Sequence, residues 1–188
     1  MLEYTDVLRV IPPGKIGKAE IAHDSPSQFE RLHGLLHGMP LYRDTYVRLL
    51  VNGSTVMTDA EFERRSNKPL LQNASGNALI AGLGIGLVLS PLQTLCDSVT
   101  VVELNPDVIT LVAPHFPWCN ITQGDIKTWK PPSGTKYDTI YFDIWPQISA
   151  DERKESGILK RKFKPYLADD GWMESWVTIA SNMLPRSR

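Results

Sequence analysis

A glycine-rich turn between two apolar runs, within residues 77–103, constrains the fold of this chain more than any other feature. The segment reads NALIAGLGIGLVLSPLQTLCDSVTVVE, so that a short apolar run leads into Gly82, Gly84 and Gly86. A segment of helical length follows, and a second apolar run ends in Glu103. Short apolar runs bounded by glycines are typical of strands that are buried on both faces. The pattern predicts a strand, a tight turn, a helix and a second strand.

The three glycines and Glu103 have separate uses in a nucleotide-binding unit. Glycines permit a tight turn and let a ligand lie against bare backbone. The helix that follows is expected to present unpaired N–H groups and the positive end of its dipole to that ligand. Glu103 lies about 20 residues after the first glycine, where an acid can accept hydrogen bonds from both hydroxyls of a ribose. The alternative interpretation is a tight strand–helix turn without a ligand.

The spacing after the second glycine separates two kinds of nucleotide ligand. A dinucleotide site requires Gly-x-Gly-x-x-Gly/Ala, in which the last small residue allows close helix–strand packing beside the pyrophosphate. Leu87 occupies that position here, which disfavours a nicotinamide enzyme. The Gly-Leu-Gly-Ile-Gly spacing at 82–86 instead resembles motif I of class I S-adenosylmethionine-dependent methyltransferases. That ligand carries no phosphate; it needs room for an amino-acid tail and an acid for its ribose.

The chain from residue 77 onwards alternates predicted strands with predicted helices. The predicted strands are 78–83, 99–103, 119–122, 137–143 and 171–178, and the predicted helices are 86–96, 106–114 and 151–166. This alternation predicts right-handed crossovers and a parallel sheet, in which ligands bind beyond the carboxyl ends of the strands. The glycine turn, Glu103, Asp125 and Asp143 all follow strands. We therefore expect these four features to lie along one edge of the sheet.

The first 73 residues carry shorter patterns that alternate less regularly. Residues 6–11 and 15–22 predict two strands around a Pro-Pro-Gly turn, and residues 28–37 predict a short helix capped by a serine. Asn52-Gly53 between 46–51 and 54–58 is a strong hairpin signal. Residues 59–73 then predict a charged helix that ends near Pro69, with Arg64 and Arg65 on a solvated face.

Composition limits the kinds of partner. The chain has 188 residues, of which 42% are hydrophobic, and a net charge of −1. A charge near zero without a basic, aromatic-rich run favours a small-molecule acceptor over nucleic acid. No apolar run reaches the ~18 residues of a membrane span, and the first residues lack the pattern of a signal peptide. With two cysteines in apolar surroundings, we expect a cytoplasmic protein with no membrane partner. We also expect no metal site, because no nearby Cys or acid completes a ligand set with His33 and His37, which are four residues apart.

Several longer segments resemble one known superfamily. They are LLVNGSTVMTDAEFE at 49–63, VVELNPDVI at 101–109, GDIKTW at 124–129 and YDTIYFDIWP at 137–146. Residues 77–178 resemble the core of class I methyltransferases, and the whole chain resembles the spermidine synthase (polyamine aminopropyltransferase) superfamily. The resemblance implies a Rossmann-like, mostly parallel sheet with a shortened C-terminal end, preceded by a small N-terminal β-hairpin subdomain. It places the subdomain at 1–73 and the S-adenosylmethionine-binding core at 74–188.

The resemblance also implies a role for individual residues. Those implied to contact the cofactor are Gly82, Leu83, Gly84 and Gly86 at its methionine part, Glu103, Leu104 and Asn105 at its ribose, and Asp125 and Ile126 at its adenine. Asp143 would face the transferring centre as the catalytic acid or base, and Trp145 and Pro146 would form the substrate wall. The N-terminal hairpins would pair in a homodimer.

Three hypotheses about function follow. The first is a methyltransferase that uses S-adenosylmethionine and acts on a small-molecule acceptor. The second is an aminopropyltransferase that uses decarboxylated S-adenosylmethionine; against it, the AGLGIG loop lacks an acid, Val56 stands where that family has a glutamine, and Arg64-Arg65 replaces a Tyr-His pair. The third is a degenerate module that binds or assembles without turnover.

Overall fold

Two β-sheets, one antiparallel and one parallel, organise the protein, whose computed structural model describes residues 4–184. The N-terminal part contains α1 (Val7–Val10), β1 (Gly14–Ile16), β2 (Ala19–Asp24), α2 (Gln28–Leu36), β3 (Tyr46–Val51), β4 (Ser54–Thr58), α3 (Glu61–Ser66) and α4 (Lys68–Asn73). The remainder contains β5 (Asn77–Ala81), α5 (Leu89–Leu95), β6 (Ser98–Glu103), α6 (Pro106–Val112), β7 (Asn120–Gln123), β8 (Tyr137–Phe142), α7 (Ala150–Phe163), β9 (Leu167–Ser175) and α8 (Trp176–Met183).

The parallel sheet has the strand order β7-β6-β5-β8-β9, and all of its neighbouring strands run parallel. Its central strand, β5, is buried at every residue from 78 to 81, as expected when both faces of a strand are covered. The predicted α/β class with a parallel sheet is therefore confirmed. The strand order reverses beside β5, so a crevice opens at the carboxyl ends of β5, β6 and β8.

The antiparallel sheet has the order β1-β2-β3-β4. Asn52 and Gly53 connect β3 to β4, with φ angles of 54° and 78°. Two successive positive φ angles give the right-handed twist that a two-residue hairpin requires. The predicted Asn-Gly hairpin is therefore present, and it places β4 on the side of the sheet that faces the glycine turn of the core.

Two predictions for the N-terminal part were wrong. Residues 6–11 form the short helix α1 rather than a strand, and the first hairpin turns at Gly17, whose φ is 53°, rather than at Pro12-Pro13-Gly14. Two consecutive prolines remove two N–H donors, so this segment cannot pair inside a sheet. The predicted helix 59–73 is two helices, because Pro69 lies in the first turn of α4, where its missing N–H is tolerated.

Smaller differences affect helix surfaces and ends. Residues 176–178, predicted as strand, begin α8, since the Ser175 hydroxyl accepts from Thr178 N and caps the helix. Arg64 does not lie on a solvated face, because it pairs with the buried Asp59 at 3.3 Å. Helix α2 has the predicted capping serine, but its apolar side chains are largely exposed: Phe29, Leu32, Leu35 and Leu36. In the part of the chain from 4 to 184, none of the helices has the length and apolarity needed to cross a membrane.

Candidate functional site

A cavity of about 380 Å³ lies at the carboxyl ends of the parallel strands, between the two sheets. Most of the residues predicted for the site line it: Gly82, Gly84, Glu103, Leu104, Asn105, Asp125, Ile126, Asp143, Trp145 and Pro146. The opposite wall comes from the N-terminal part and includes Val56, Met57 and Glu63. The structure thus brings together residues from four strand ends, as parallel-sheet topology predicts.

Glu103 is fixed at the tip of β6 by two backbone donors. Leu83 N donates to one carboxylate oxygen at 2.8 Å, and Asn105 N donates to the other, also at 2.8 Å. The carboxylate therefore faces the glycine turn and lines the cavity. A carboxylate oxygen has further lone pairs, so each oxygen can still accept a hydrogen bond from a ligand. Leu83 itself is outside the cavity lining, and it acts through its backbone N–H on Glu103.

Asp125 begins a tight turn that two sets of hydrogen bonds hold in place. Its carboxylate accepts from Lys127 N at 2.9 Å. The Lys162 ammonium of α7 donates to the carbonyl oxygens of Ile126 at 3.0 Å, Lys127 at 2.8 Å and Trp129 at 2.8 Å. Burial lowers the pKa of Lys162. The Lys162 side chain thus holds the loop 125–129, which is the loop expected to contact an adenine, in one conformation.

The first two glycines of the turn shape the cavity, and each has a positive φ angle. At Gly82, with a φ of 98°, a Cβ would lie 2.1 Å from the carbonyl oxygen of Asp143. At Gly84, with a φ of 51°, a Cβ would lie 2.1 Å from the Met57 sulfur. Neither position can take a larger residue without a shift. Met57 of β4 therefore packs directly on the glycine turn and forms the roof of this part of the cavity.

The third glycine, Gly86, contacts other parts of the protein rather than the cavity. Gly86 lies outside the cavity lining, and a Cβ there would lie 2.3 Å from the Phe116 ring. The Thr5 hydroxyl donates to Gly86 O at 2.8 Å and accepts from Ser90 N at 3.0 Å. The expectation that helix α5 offers its first N–H groups to a ligand is thus wrong for Ser90, because a threonine from the N-terminal segment caps it.

Asp143 and Glu63 form a second pair of carboxyl groups on the cavity wall. Burial raises the pKa of Asp143 to about 7. Burial, together with the neighbouring Asp143 charge, raises the pKa of Glu63 to about 8, against the opposing effect of the Trp176 indole. Within residues 4–184, neither group has a cationic side chain within 4.0 Å. Both carboxyls are therefore suited to exchange a proton near neutral pH.

Tyr141 lies beside this pair on β8 and is completely buried. Its hydroxyl has no hydrogen-bond partner among the described residues. Burial, followed by the charges of Asp143 and Glu63, raises the pKa of Tyr141 well above its ordinary value. A buried phenol hydroxyl normally has a hydrogen-bond partner. A water molecule near the two carboxyls would supply the partner that the Tyr141 hydroxyl lacks.

The substrate-side residues that the sequence predicted lie on the same wall. Trp145 is 7% exposed, and its indole N–H donates to a Glu155 carboxylate oxygen at 2.7 Å. Glu155 also pairs with Lys127 at 2.6 Å, and these contacts hold the pKa of Glu155 below its ordinary value. Pro146 is exposed at the cavity mouth. Trp145 is thus a fixed wall whose N–H is already bonded to Glu155, which lines the cavity together with Lys127.

Sequence reasoning missed several residues that line the cavity, among them Met57, Glu63 and Glu155, and it missed Thr5, which holds the glycine turn from outside the cavity. The sequence placed Glu63 in a charged helix without a role at the site, although it directly follows Phe62, which is 7% exposed. Met57 lies in the correctly predicted hairpin, but alternation along a strand does not tell what its outer face will meet. Thr5 contacts residues more than 80 positions away in the chain, and no local pattern indicates such a contact.

Matches to known proteins come from solved structures. No protein-family profile matches the sequence, and no curated protein matches it. DhpI, in a complex with SAH, is 23% identical over 60% of this chain and 54% of its own, with a TM-score of 0.49. The N-methyltransferase NodS from Bradyrhizobium japonicum, in complex with S-adenosyl-L-homocysteine, is 18% identical over 66% of this chain and 76% of its own, with a TM-score of 0.49.

A third match is an S-adenosylmethionine-dependent methyltransferase from Clostridium acetobutylicum. It is 18% identical, and the alignment covers 62% of this chain and 50% of that one, with a TM-score of 0.47. The chain therefore spans about half the length of DhpI and of the Clostridium protein.

Proposed function

We propose that this protein binds S-adenosylmethionine and transfers its methyl group to a small-molecule acceptor. The observation that carries the proposal is the orientation of Glu103. Its carboxylate is held by Leu83 N and Asn105 N at the carboxyl edge of a parallel sheet, facing a bare-backbone turn. A carboxylate in that position can accept hydrogen bonds from both hydroxyls of a ribose.

The remaining lining supports the same ligand. A volume of about 380 Å³ lies within the roughly 300–1,000 Å³ that small-molecule sites occupy. Asp125 can accept from an exocyclic adenine amine, and Ile126 can cover one face of the ring. Leu104, which is 65% exposed, can contact the other face, while Asn105 lies beside the ribose. Gly82 and Gly84 line the cavity, and Met57 packs directly on Gly84, so the amino-acid tail would lie beside Met57.

Methyl transfer requires alignment and a proton acceptor more than covalent help from the protein. S-adenosylmethionine, when bound, supplies a methyl group on a sulfonium that leaves readily. Asp143 would orient the acceptor and take its proton, because burial places its pKa at about 7. Trp145 and Pro146 would hold the acceptor on the substrate side, and the closed wall between the two sheets would exclude water.

Finer assignments rest on the sequence resemblance alone. We propose that residues 1–73 act as a β-hairpin subdomain on a core at 74–188, in a cytoplasmic protein that pairs as a homodimer through these hairpins. The aminopropyl alternative keeps the same fold, but no contact in the cavity favours it. Product analysis separates the two: methyl transfer yields S-adenosylhomocysteine, whereas aminopropyl transfer yields methylthioadenosine.

Calorimetric titration with S-adenosylhomocysteine and S-adenosylmethionine tests the proposal directly. We expect both to bind in the micromolar range, because the ribose and adenine contacts are common to them. NAD⁺ serves as a matched control with the same adenosine, and it should bind at least tenfold more weakly because Leu87 blocks close packing beside a pyrophosphate. Absence of binding by either adenosyl compound at high micromolar concentration would contradict the proposal and would favour a degenerate module.

A further inference from the structure

Glu63 connects the candidate site to a second cavity. This cavity, of about 470 Å³, lies between α2, α3 and the antiparallel sheet. Its walls are mostly apolar, with Phe29, Met39, Leu41 and Phe62 among them. Glu63 is the one residue that lines both cavities among those that the structure describes. The same carboxyl group therefore borders both cavities.

The two other acids that line the second cavity share a single arginine. Arg48 pairs with Asp24 at 2.8 Å and with Glu30 at 3.4 Å, and all three residues line this cavity. Glu63, in contrast, forms no ion pair within residues 4–184, and the same holds for Asp143 on the other side. An uncompensated carboxyl at the closed end of an apolar cleft favours a cationic ligand group.

The buried Tyr141 hydroxyl is a further unsatisfied polar group near these two carboxyls. It lacks a partner among the described residues, and it lies close enough to Asp143 and Glu63 to respond to their charges. An unsatisfied buried hydroxyl costs about 1–3 kcal/mol. Tyr141 lines neither cavity, so a water molecule held between its hydroxyl and the carboxyls, rather than the ligand itself, would satisfy it.

The volumes indicate where the ligand body lies. The first cavity has room for an adenosyl cofactor and little more, since its volume of about 380 Å³ is near the lower end for small-molecule sites. An acceptor therefore needs space elsewhere. The second cavity has such space, and it borders the first cavity at Glu63, which lines both.

We propose that the acceptor is a primary amine with an apolar body, whose nitrogen lies between Glu63 and Asp143 and whose body occupies the cleft beneath α2. The proposal rests on the proposed function for its cofactor. It assigns Glu63 to acceptor binding. It also ranks a polyamine below an apolar amine as the acceptor, because the cleft beyond Glu63 is mostly apolar and Arg48 contacts both of its other acids.

The transfer step balances with these residues. One carboxylate takes a proton from the ammonium form, which frees the nitrogen lone pair. The lone pair then forms the new nitrogen–carbon bond while the carbon–sulfur bond breaks, and the electron pair of that bond remains on sulfur. The products are a methylated ammonium, which stays paired with the second carboxylate, and S-adenosylhomocysteine. Two carboxyls, rather than one, allow one to hold the cation while the other carries the proton.

The test uses hexylamine, hexan-1-ol and putrescine as probes on the protein saturated with S-adenosylhomocysteine, with calorimetry as the readout. We expect hexylamine to bind at least tenfold more tightly than either of the other two. Glu63→Gln should weaken hexylamine at least tenfold and leave S-adenosylhomocysteine unchanged. Leu41→Trp, which fills the cleft, should also weaken hexylamine alone. Glu20→Gln, a surface change of equal charge, should have no effect.

The outcomes separate the two proposals. Failure of S-adenosylhomocysteine to bind the unaltered protein overturns the proposed function. If it binds, but hexylamine and hexan-1-ol bind equally or Glu63→Gln has no effect, the amine assignment is wrong. Preferential binding of putrescine would contradict the proposal that the acceptor has an apolar body. Dimer formation through α2 that disappears with Leu41→Trp, without any amine binding, would assign the cleft to a second copy of the chain instead.

Discussion

Two pairs of carboxyl groups line one cavity in opposite electrostatic surroundings. The ribose-side pair, Glu103 and Asp125, accepts hydrogen bonds from backbone N–H groups. The acceptor-side pair, Glu63 and Asp143, lies without a cation among the described residues, and burial raises the pKa of both. Backbone donors fix a carboxylate in one orientation and keep it an acceptor, whereas desolvation makes a carboxyl a proton carrier.

The difference teaches how one residue type serves two purposes at a single site. The ribose-side pair comes from the ends of β6 and β7, where turns supply N–H donors automatically. The acceptor-side pair joins the end of β8 to α3 of the N-terminal part, so it exists only because the two sheets close on each other. Under the proposed function, recognition of the cofactor therefore depends on the parallel core, and proton transfer depends on the junction between that core and the N-terminal part.

The largest expected effect comes from removing the best-held carboxylate. Glu103→Ala deletes the two proposed charge-assisted hydrogen bonds to the ribose, each about 1.5–3 kcal/mol, so S-adenosylhomocysteine should bind at least about 100-fold more weakly. Titration calorimetry measures the change. Asp170→Ala, at an exposed acid on β9, is the control and should change nothing. Equal affinity of Glu103→Ala and the unaltered protein would show that the fixed pair does not hold the ligand.

The acceptor-side pair predicts a pH dependence of stability without any ligand. Glu63 has a pKa of about 8 in the folded protein against 4.5 as a free side chain, so the folded state binds more protons between these values. The free energy of unfolding should therefore fall as the pH rises from about 4 through about 8. Glu63→Gln should raise the melting temperature at pH 8 by about 2–4 °C for each kcal/mol recovered.

Thermal denaturation at pH 5 and pH 8 measures this effect. The gain should shrink at pH 5, where the unaltered carboxyl is already neutral. Glu20→Gln provides the control, since its exposed acid pairs with Lys15 at 2.9 Å. A gain of the same size at both pH values would indicate a packing effect rather than titration.

Asp125 should have a smaller effect than Glu103, because it offers one hydrogen bond to the adenine amine. Asp125→Ala should weaken S-adenosylhomocysteine about tenfold, corresponding to about 1.4 kcal/mol. The matched test is S-inosylhomocysteine, which has an oxygen in place of that amine. The unaltered protein should discriminate against the inosyl compound, and Asp125→Ala should not; persistent discrimination would assign adenine recognition elsewhere.

The smallest expected effect comes from a substitution that tests whether the loop after β7 is already ordered before the ligand binds. Lys162→Met removes all three hydrogen bonds to the loop after β7 and keeps the aliphatic stem. S-adenosylhomocysteine should bind a few-fold more weakly, on the order of 1 kcal/mol or less, because the loop must then be ordered by the ligand. Lys164→Met, on the exposed turn that follows α7, is the control. Unchanged affinity and unchanged hydrogen exchange at residues 125–129 would exclude such a role.

The parallel-sheet core could be predicted from the sequence because short stretches of neighbouring residues determine its strands and turns. Each buried strand is a short apolar run, and each polar residue of the ribose-side pair directly follows one. Topology alone then brought Glu103, Asp125 and Asp143 to one edge. Gly86 was assigned to the ligand because three glycines look alike in a sequence, although a phenyl ring and a threonine surround this one.

The N-terminal part could be predicted less well because contacts with the core determine its structure. Residues 6–11 alternate like a strand, but Val7 and Ile11 are completely buried as parts of a helical turn. Glu63 has the sequence surroundings of a surface acid, and only the closure of the two sheets places it beside Asp143. The hydrophobic periodicity of a sequence indicates which residues lie on the same face of a helix or strand. It does not indicate which part of the protein that face will contact.

The packing of Met57 on Gly84 has an evolutionary consequence. A side chain at position 84 would occupy the space that the methionine sulfur now fills, so the two positions share a single volume. Because residue 84 has a φ of 51°, any side chain there is strained, so among descendants of this gene a replacement at 84 should be rare and should arise only together with a shorter residue at 57. Coevolution of two sites 27 residues apart would then record the contact between the sheets, and a library that randomises both codons should recover the same correlation.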